Sequence, residues 1–248
     1  AATQVTSSSF SVETTAPTIT AIQTTAFSWG SVLNATEDNS DGTVSVTTSG
    51  VEDGQTLTIT LNGATYTNTV SSNSVTVTIS AAGLQALTNG SSYTLTADVS
   101  DTAGNAATQV TSSSFSVETT APTISEVLLA ADNSTLTVTM SEAVYNTNGG
   151  SGSIEMSDFA LSISGGVASI NTTPSTISSS GNEYTLGLTI SGTPNGSETL
   201  TVVPSSSSAI YDLAGNAAST TQSNNTVSLN DTSPPTLSNV SIVSNNTT

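Results

Sequence analysis

The chain has 248 residues, enough for two domains of about 100–115 residues each. It carries 18 Asp and Glu residues but no Lys, Arg or His, which gives a formal net charge of −18. With no cationic side chain to neutralise phosphate, nucleic acid is excluded as a partner and anionic membrane surfaces are disfavoured. The absence of cysteine excludes disulfides and thiolate metal sites, and no apolar run of about 18 residues predicts a membrane span.

A long exact repeat organises the chain. The sequence AATQVTSSSFSVETTAPTI occurs at residues 1–19 and again, unchanged, at residues 106–124. Identity over this length, at a spacing the size of a domain, predicts a tandem array. In the second copy, residues 109–118 are predicted to be the last strand of one unit, and residues 119–122 the joint to the next. By the same logic residues 1–15 are the last strand of a preceding repeat, 16–120 and 121–232 are two domains, and 233–248 start a third repeat.

The first domain is predicted to consist of short strands separated by turns. Residues 18–25 and 27–33 are expected to be opening strands, and residues 42–49, 57–61, 75–79 and 93–99 alternate with the period of two that indicates one buried face. Residues 64–70 are expected to be the returning strand of a hairpin. Asn62-Gly63 predicts a type I′ hairpin turn, and residues 81–87 one helical turn. In the closing strand, Phe115 and Val117 are expected to point into the core. About seven to nine strands with regularly spaced turns fit an Ig-like sandwich.

The second domain follows a related plan with longer loops. It is expected to open with a strand at 124–129, turn at Asp132-Asn133, and continue with alternating apolar residues at 136–140. After a long loop at 141–152 and a short turn at 157–159, strands are predicted around Leu161, at 184–190, around Leu200 and near 226–229. The predicted fold class is therefore all-β, with tandem Ig-like β-sandwich domains in a rod-like array.

Several segments carry a resemblance to a known family. The first domain contains LNATEDNSDGTVSVTTSGVEDGQTLTITLNGATYTNTV, ADVSDTAGNAA and VETTAPTI, and the second contains TVTMSEAVYN, SDFALSISGG and IYDLAGNAA. These segments resemble the bacterial Ig-like tandem repeats of large extracellular adhesins and biofilm-matrix surface proteins. The resemblance covers nearly the whole chain. It implies an extracellular or cell-surface location and a spacer role without catalysis.

An Asp-x-Ala-Gly-Asn loop occurs once in each domain, and an acidic residue follows it at the next joint. A strand of about ten residues between loop and joint predicts that they lie at opposite ends of a domain, so that a joint meets acidic loops of the following unit. Carboxylate and amide oxygens suit Ca²⁺, and in the adhesins that the chain resembles Ca²⁺ at the joints stiffens the rod. The alternative is that Asp, Gly and Asn are simply favourable turn residues. The candidate Ca²⁺ ligands are Glu37, Asp38, Asp41, Glu52, Asp53, Asp101, Asn105, Glu118, Asp212, Asn216 and Asp231.

Two other kinds of activity have weaker support. The neighbouring carboxylates Glu37-Asp38 and Glu52-Asp53 suggest a glycosidase, but the single Trp is little for a sugar-binding cleft, and the lack of His excludes a Ser-His-Asp site. Thr-x-Thr patterns such as Thr58/Thr60 suggest ice binding, but they are short and unevenly spaced, and Thr is favoured on any solvent-facing strand. We therefore expect no enzyme activity.

The leading hypothesis is a structural extender or stalk segment of a long secreted adhesin or extracellular fibre. Its expected partners are neighbouring repeats of the same protein. In one alternative, residues 1–13 complement the open sheet of another copy and the chain is a filament subunit. In the other, it is a glycan- or ice-binding module.

Overall fold

The computed structural model describes residues 3–241, in which the chain forms two compact units. Unit 1 ends at Thr120, and unit 2 begins at Ala121. Residues 3–15 lie outside the sheets of unit 1. The sequence predicts a strand there, but none is formed. Residues 233–241 likewise form no strand; the rest of the predicted third repeat, 242–248, lies outside the described residues, as do residues 1 and 2.

Unit 1 is built from three small sheets and one short helix. The sheets have the strand orders β1-β3-β6, β2-β10-β7 and β5-β4-β8-β9, and the pair β2–β10 is parallel while the other pairs are antiparallel. The elements are β1 Thr18–Ile19, a 3-10 turn Thr24–Ala26, β2 Val32–Leu33, β3 Gly42–Ser49, β4 Thr56–Leu61, β5 Ala64–Thr69, β6 Ser74–Ile79, α1 Ala81–Gln85, β7 Ser92–Tyr93, β8 Leu95–Asp98, β9 Val110–Thr111 and β10 Phe115–Val117.

The core of unit 1 lies between these sheets. Leu57, Ile59 and Leu61 of β4 are buried, and the threonines between them face outward, as the period of two predicts. Their side chains belong to one continuous apolar cluster with the inward residues of β3, β6 and β10. The unit is therefore a β-sandwich.

The opening of unit 1 differs from the prediction. Residues 18–25 and 27–33 contribute only the two-residue strands β1 and β2, with a 3-10 turn between them. Phe27 and Trp29 are both buried, but they reach the core from a turn in which Gly30 N donates to Phe27 O (3.1 Å) and Gly30 has a φ of +70°. Burial of two aromatic rings thus decides the local backbone here. The hairpin turn is confirmed, since Asn62 and Gly63 have φ values of +49° and +80°, and so is the helical turn α1.

Unit 2 is also all-β. Its sheets have the orders β11-β12-β16-β15, β13-β18-β19 and β14-β17. Its elements are β11 Ile124–Leu129, β12 Thr135–Met140, a 3-10 turn Met156–Asp158, β13 Phe159–Ser164, β14 Ser169–Ile170, β15 Ile177–Ser180, β16 Glu183–Gly187, β17 Ile190–Ser191, β18 Thr199–Pro204 and β19 Thr226–Ser228. Strands β14 and β15 were not predicted, and the predicted strand 184–190 is divided between β16 and β17, which pair with different neighbours.

In unit 1 the chain enters at one end and leaves at the other. Thr18 of β1 pairs with Ser49, the last residue of β3. The chain leaves past Asn89, whose Oδ1 accepts a hydrogen bond from Thr119 N (2.9 Å). Asn89 comes shortly after α1, and α1 follows the end of β6 that pairs with Gly42, the first residue of β3. We call the end where the chain enters the upstream end and the end where it leaves the downstream end.

Unit 2 has the same arrangement. Ile124 of β11 pairs with Met140, the last residue of β12. The chain leaves at the turn that precedes β12, where Asn230 N donates to Asn133 Oδ1 (2.9 Å) and Asn133 Nδ2 donates to Asn230 O (2.9 Å). Among the described residues, no helix is both long and apolar enough to cross a membrane.

Candidate functional site

Three acidic residues approach one another at the upstream end of unit 1. The side chain of Asp101 accepts hydrogen bonds from Asn105 N (2.7 Å) and Asn105 Nδ2 (2.8 Å), which fixes the Asp-x-Ala-Gly-Asn loop. The amide of Asn105 also lies 3.3 Å from Glu13 O, and Glu52 Oε2 accepts a hydrogen bond from Thr102 N (2.9 Å). The joint that precedes unit 1 therefore meets the Asp101 loop and Glu52.

Hydrogen bonds keep the carboxylates of Glu13, Glu52 and Asp101 ionised, although the three negative charges repel one another. The pKa of Asp101 is lowered chiefly by the hydrogen bond from the Asn105 side chain, and the pKa of Glu52 by the bond from Thr102 N. The backbone N–H of Thr15 lowers the pKa of Glu13. Repulsion from Asp101 acts in the opposite direction on both glutamates. At neutral pH this end of unit 1 therefore carries closely spaced negative charges in a chain with no side-chain cation.

The oxygens at this end have the right chemistry for Ca²⁺, but they are not arranged as a metal site. Within residues 3–241, no three acidic side chains lie close enough together to hold a metal ion. The carboxylate oxygens of Asp101 are instead directed at Asn105. The loop geometry thus agrees with the simpler interpretation in which Asp and Asn stabilise a turn.

The second Asp-x-Ala-Gly-Asn loop repeats the first in detail. Asp212 is buried and accepts hydrogen bonds from Asn216 N (2.8 Å) and Asn216 Nδ2 (2.7 Å). Burial raises the pKa of Glu142, and the nearby charge of Asp212 raises it further. Because Glu142 follows Met140 closely in sequence, this loop also lies at the upstream end of its unit.

Of the candidate ligands in the acidic loops of unit 1, Glu52 and Asp53 lie with the Asp101 loop, and Glu37, Asp38 and Asp41 do not. Asp53 follows Glu52 and accepts a hydrogen bond from Ser72 N (2.6 Å) at the upstream end. Asp41 accepts a hydrogen bond from Ala81 N (2.9 Å) at the start of α1, which places the loop of Glu37, Asp38 and Asp41 at the downstream end. The expectation that this loop meets the preceding joint is therefore wrong. The sequence spacing could not show it, because the end of the sandwich on which a loop lies is set by strand topology.

The joint residues Glu118 and Asp231 lie at the downstream ends, as their distance from the loops suggested. Glu118 N donates to Leu33 O (3.0 Å), and Asp231 Oδ1 accepts a hydrogen bond from Ser233 N (2.8 Å). In the second copy of the repeat Glu118 thus directly follows the paired strand β10, while its counterpart Glu13 follows residues that form no strand. The two copies are identical in sequence but differ in structure.

This difference is largest at the apolar side chains. In the second copy, Phe115 is 1% exposed and lies between three aromatic rings, with centroid distances of 5.5 Å to Phe27, 5.4 Å to Trp29 and 6.2 Å to Tyr93. In the first copy, the corresponding Phe10 is 86% exposed. The same side chain of the repeat is thus exposed in the first copy and buried in the second.

A buried carboxylate in unit 2 was missed at the sequence level. Glu198 is fully buried, and its carboxylate accepts hydrogen bonds from Val167 N (2.9 Å), Ala168 N (3.1 Å) and Asn195 N (3.0 Å). These backbone donors, the Val167 N–H foremost, lower its pKa to about 2. Glu198 ties two loops together and is a structural group. No local signal marks it, since two of its partners lie some thirty positions earlier in the chain.

The threonines form a more regular surface than their sequence spacing suggested. The strand register of the sheet β5-β4-β8-β9 places them in rows across its outer face. The rows are Thr65–Thr60–Thr96–Thr111, Thr67–Thr58–Asp98 and Thr69–Thr56. The threonines of this sheet are therefore not the short, uneven pairs that the sequence suggested, and ice binding stays an alternative hypothesis.

The fold and the ends of the units define the class of protein: an all-β chain of two units, each entered at one end and left at the other. The chain is similar to a Ca²⁺-stabilized adhesin that helps an Antarctic bacterium reach out and bind ice, with 23% identity, a TM-score of 0.45 and coverage of 87% of this chain and 48% of that chain. It is similar to a 1.5-MDa bacterial ice-binding adhesin with the same identity and TM-score, over 90% of this chain and 65% of that one. The chain thus spans less than two thirds of either.

A smaller solved structure shows a higher sequence identity. A bacterial immunoglobulin-like domain from the M. primoryensis ice-binding adhesin is 31% identical, with a TM-score of 0.29, over 41% of this chain and 94% of that domain. No protein-family model matches the chain, and no curated protein matches its sequence. The all-β fold class that the sequence predicted is confirmed by the strands of both units. The solved structures similar to the chain include an immunoglobulin-like domain of a bacterial adhesin, the family that the sequence resembles.

Proposed function

We propose that the chain is an extender segment of a long, repetitive adhesin on a bacterial surface, and that its work is to add length. The observation that carries this proposal is the path of the chain. It enters each unit at the upstream end and leaves at the downstream end, across the full length of β3 in unit 1 and of β12 in unit 2. A module with that path cannot return the chain to its starting point, so each repeat extends the array.

The charge of the chain supports the same role. A net charge of −18 with no cationic side chain makes neighbouring repeats repel one another, which favours an extended, soluble array. The lack of Lys and Arg also removes every cleavage site for trypsin-like proteases, which suits a protein exposed outside a cell. The proposed partners are neighbouring repeats of the same protein, and the proposed location is extracellular.

Small-angle X-ray scattering of the full chain tests the extender proposal. Each unit is expected to be about 35–45 Å long, because its longest strand, such as the 8 residues of β3, rises about 3.3 Å per residue and the loops at both ends add to that length. Two units end to end give a radius of gyration of about 25 Å. A radius near 18 Å, typical of a compact protein of this length, would contradict the proposal. Salt screens charge repulsion, so measurements at several salt concentrations separate the effect of repulsion on the radius of gyration from the effect of a stiff joint.

Calcium binding at the upstream ends is a separate part of the proposal. Glu13, Glu52 and Asp101 bring negative charges together without a cation, and a bound Ca²⁺ would remove their repulsion. We expect millimolar Ca²⁺, compared with a chelator at equal ionic strength, to raise the unfolding midpoint of unit 1 by about 5 °C or more, because a ligand of the folded state stabilises it.

A pair of variants gives this calcium experiment its control. Glu52→Gln removes a charge at the upstream end and is expected to reduce the Ca²⁺-dependent rise. Asp38→Asn removes a charge at the downstream end and should leave the rise unchanged. If Ca²⁺ has no effect, or if both variants respond equally, the carboxylates at the upstream end do not bind the ion and the loops are turns only.

A further inference from the structure

The segment that leaves unit 1 stays bound to that unit for some residues beyond β10. Asn89 Oδ1 accepts a hydrogen bond from Thr119 N (2.9 Å), and Asn89 Nδ2 donates to Thr120 Oγ1 (2.6 Å). Asn89 lies in the turn between α1 and β7, and this turn is itself tied to β10, because Gly90 N donates to Val117 O (2.8 Å). One asparagine amide thus holds both residues of the joint to the body of unit 1.

The joint also has a hydrogen bond of its own. Glu118 Oε1 accepts a hydrogen bond from Thr120 N (2.8 Å), and in the first copy of the repeat Glu13 Oε1 accepts one from Thr15 N. The bond forms in both copies although only the second copy follows a paired strand. It is therefore determined by the local sequence. Together with Asn89, it fixes both the backbone and the side chain of Thr120.

The segment that enters unit 2 is held equally early. Thr123 N donates to Ser141 Oγ (3.0 Å), and Ser141 N donates to Thr123 O (2.8 Å). The next residue is also bound, since Ile124 N donates to Gln222 Oε1 (2.9 Å). Ser141 directly follows β12, so these bonds attach Thr123 to the sheet of unit 2.

Only Ala121 and Pro122 remain between the two held segments. A residue has two soft backbone torsions, and proline fixes one of its own at a φ near −65°. The proline ring also restricts the preceding residue, Ala121, to extended conformations. Pro122 is moreover buried. Few torsions are thus left about which the chain can turn.

We propose that this joint is a stiff two-residue link that needs no bound metal, and that Asn89 is the positioning residue on its unit 1 side. The inference rests on the extender role proposed above and deepens it, because a stiff joint lets the length of each unit add to the reach of the array. Calcium at the upstream ends would act in addition to this link.

Unit 2 has a similar device where the chain leaves it. Asn133 is buried, its Oδ1 accepts a hydrogen bond from Asn230 N (2.9 Å), and its Nδ2 donates to Asn230 O (2.9 Å). An amide can donate and accept at once, whereas an ionised carboxylate only accepts. An aspartate at position 89 or 133 would also add a negative charge close to Glu118 or Asp231 in a chain without a side-chain cation. Asparagine therefore suits both positions.

The width of a distance distribution tests the stiffness of the joint. Spin labels are attached to the full chain at Ser45→Cys in unit 1 and Ser162→Cys in unit 2, both exposed strand positions, and the measurement is made in a chelator. We expect a distribution nearly as narrow as that of a label pair within unit 1, Ser45→Cys and Thr65→Cys. Insertion of Gly-Ser-Gly-Ser after Thr120 supplies the flexible limit. A native distribution as broad as that limit would overturn the proposal.

Two asparagine variants test the assigned role of Asn89. Asn89→Ala releases Thr119 and Thr120 and is expected to broaden the distribution about twofold or more. Asn39→Ala is the matched control, because Asn39 lies at the same end of unit 1 and also makes two hydrogen bonds, but to Ala35 and Gln85. It is expected to leave the width unchanged. No broadening in Asn89→Ala, or equal broadening in both variants, would overturn the assignment.

Further measurements separate a positioning role from a loss of folding. The label pair within unit 1 must stay narrow in Asn89→Ala if the unit remains folded. Thr120→Val, at an exposed position, removes only the side-chain bond to Asn89 and is expected to broaden the distribution between units to a smaller extent. An unchanged width in Thr120→Val, with Asn89→Ala unfolded, would also count against the assignment. The width tests the joint and the mean distance tests the extender role, so either proposal can fail without the other.

Discussion

Replacing Phe115 with alanine is expected to lower the free energy of unfolding of unit 1 by about 3–5 kcal/mol. Phe115 is fully buried, and it packs at 5.4 Å from the ring of Trp29 and at 5.5 Å from that of Phe27. Removing its ring leaves a cavity between aromatic neighbours that are held by the surrounding strands and cannot close over it. The lost stability has two parts. The variant no longer gains the favourable free energy of moving the ring out of water on folding, and it bears the cost of the cavity.

The repeat provides an unusually well-matched control for this prediction. Phe10 has the same neighbours in sequence through the whole repeated segment, but it is exposed, and Phe10→Ala is expected to change the stability of unit 1 by less than about 0.5 kcal/mol. Denaturant titration followed by Trp29 fluorescence measures both variants. Similar losses from the two substitutions would show that the first copy is packed in solution and would contradict the structure.

Glu198→Gln is expected to lower the unfolding midpoint of unit 2 by at least about 5 °C. The carboxylate accepts three backbone hydrogen bonds, and Glu198 has no surface exposed to solvent. The amide offers an N–H₂ group where an acceptor is needed, so at least one buried backbone N–H loses its partner. Glu126→Gln, on an exposed part of β11, removes the same charge and is expected to leave the midpoint nearly unchanged.

The effect of Glu198 depends on pH in a definite direction. Its pKa is lowered from 4.5 to about 2 in the folded chain, so ionisation favours folding. The resulting stabilisation is fully present above the unfolded pKa of 4.5 and is lost as the pH falls through 2. We therefore expect the difference between the native chain and Glu198→Gln, measured by calorimetry, to be constant above about pH 5 and to shrink below it. A difference that grows on acidification would contradict the assigned hydrogen bonds.

Much of the fold follows from local patterns. The alternation of Leu57, Ile59 and Leu61 with threonine is enough to predict β4 and its buried face. Asn62-Gly63 is enough to predict the turn that follows. Both patterns are contained within a few neighbouring residues. The opening of unit 1 was predicted less well, since Trp29 is buried from a turn and its environment is supplied by Phe115, far along the chain.

The candidate site was predicted only as far as its residue types. The two Asp-x-Ala-Gly-Asn loops were found because each is a local motif, and their internal hydrogen bonds are the same in both units. The loop that contains Asp38 was assigned to the wrong end of unit 1, because only the order of strands in the sheets decides which loops share an end. Glu198 carries no signal at all in the sequence around it.

The most direct measurement of the extender role is the distance between the two ends of the pair of units. Since the chain has no cysteine, cysteines introduced at the exposed positions Thr14 and Thr232 take spectroscopic labels without competition. If each unit adds its length, electron–electron distance measurement or energy transfer gives a separation of about 70–90 Å. A separation below about 40 Å would mean that the second unit folds back along the first, and the chain would not be an extender.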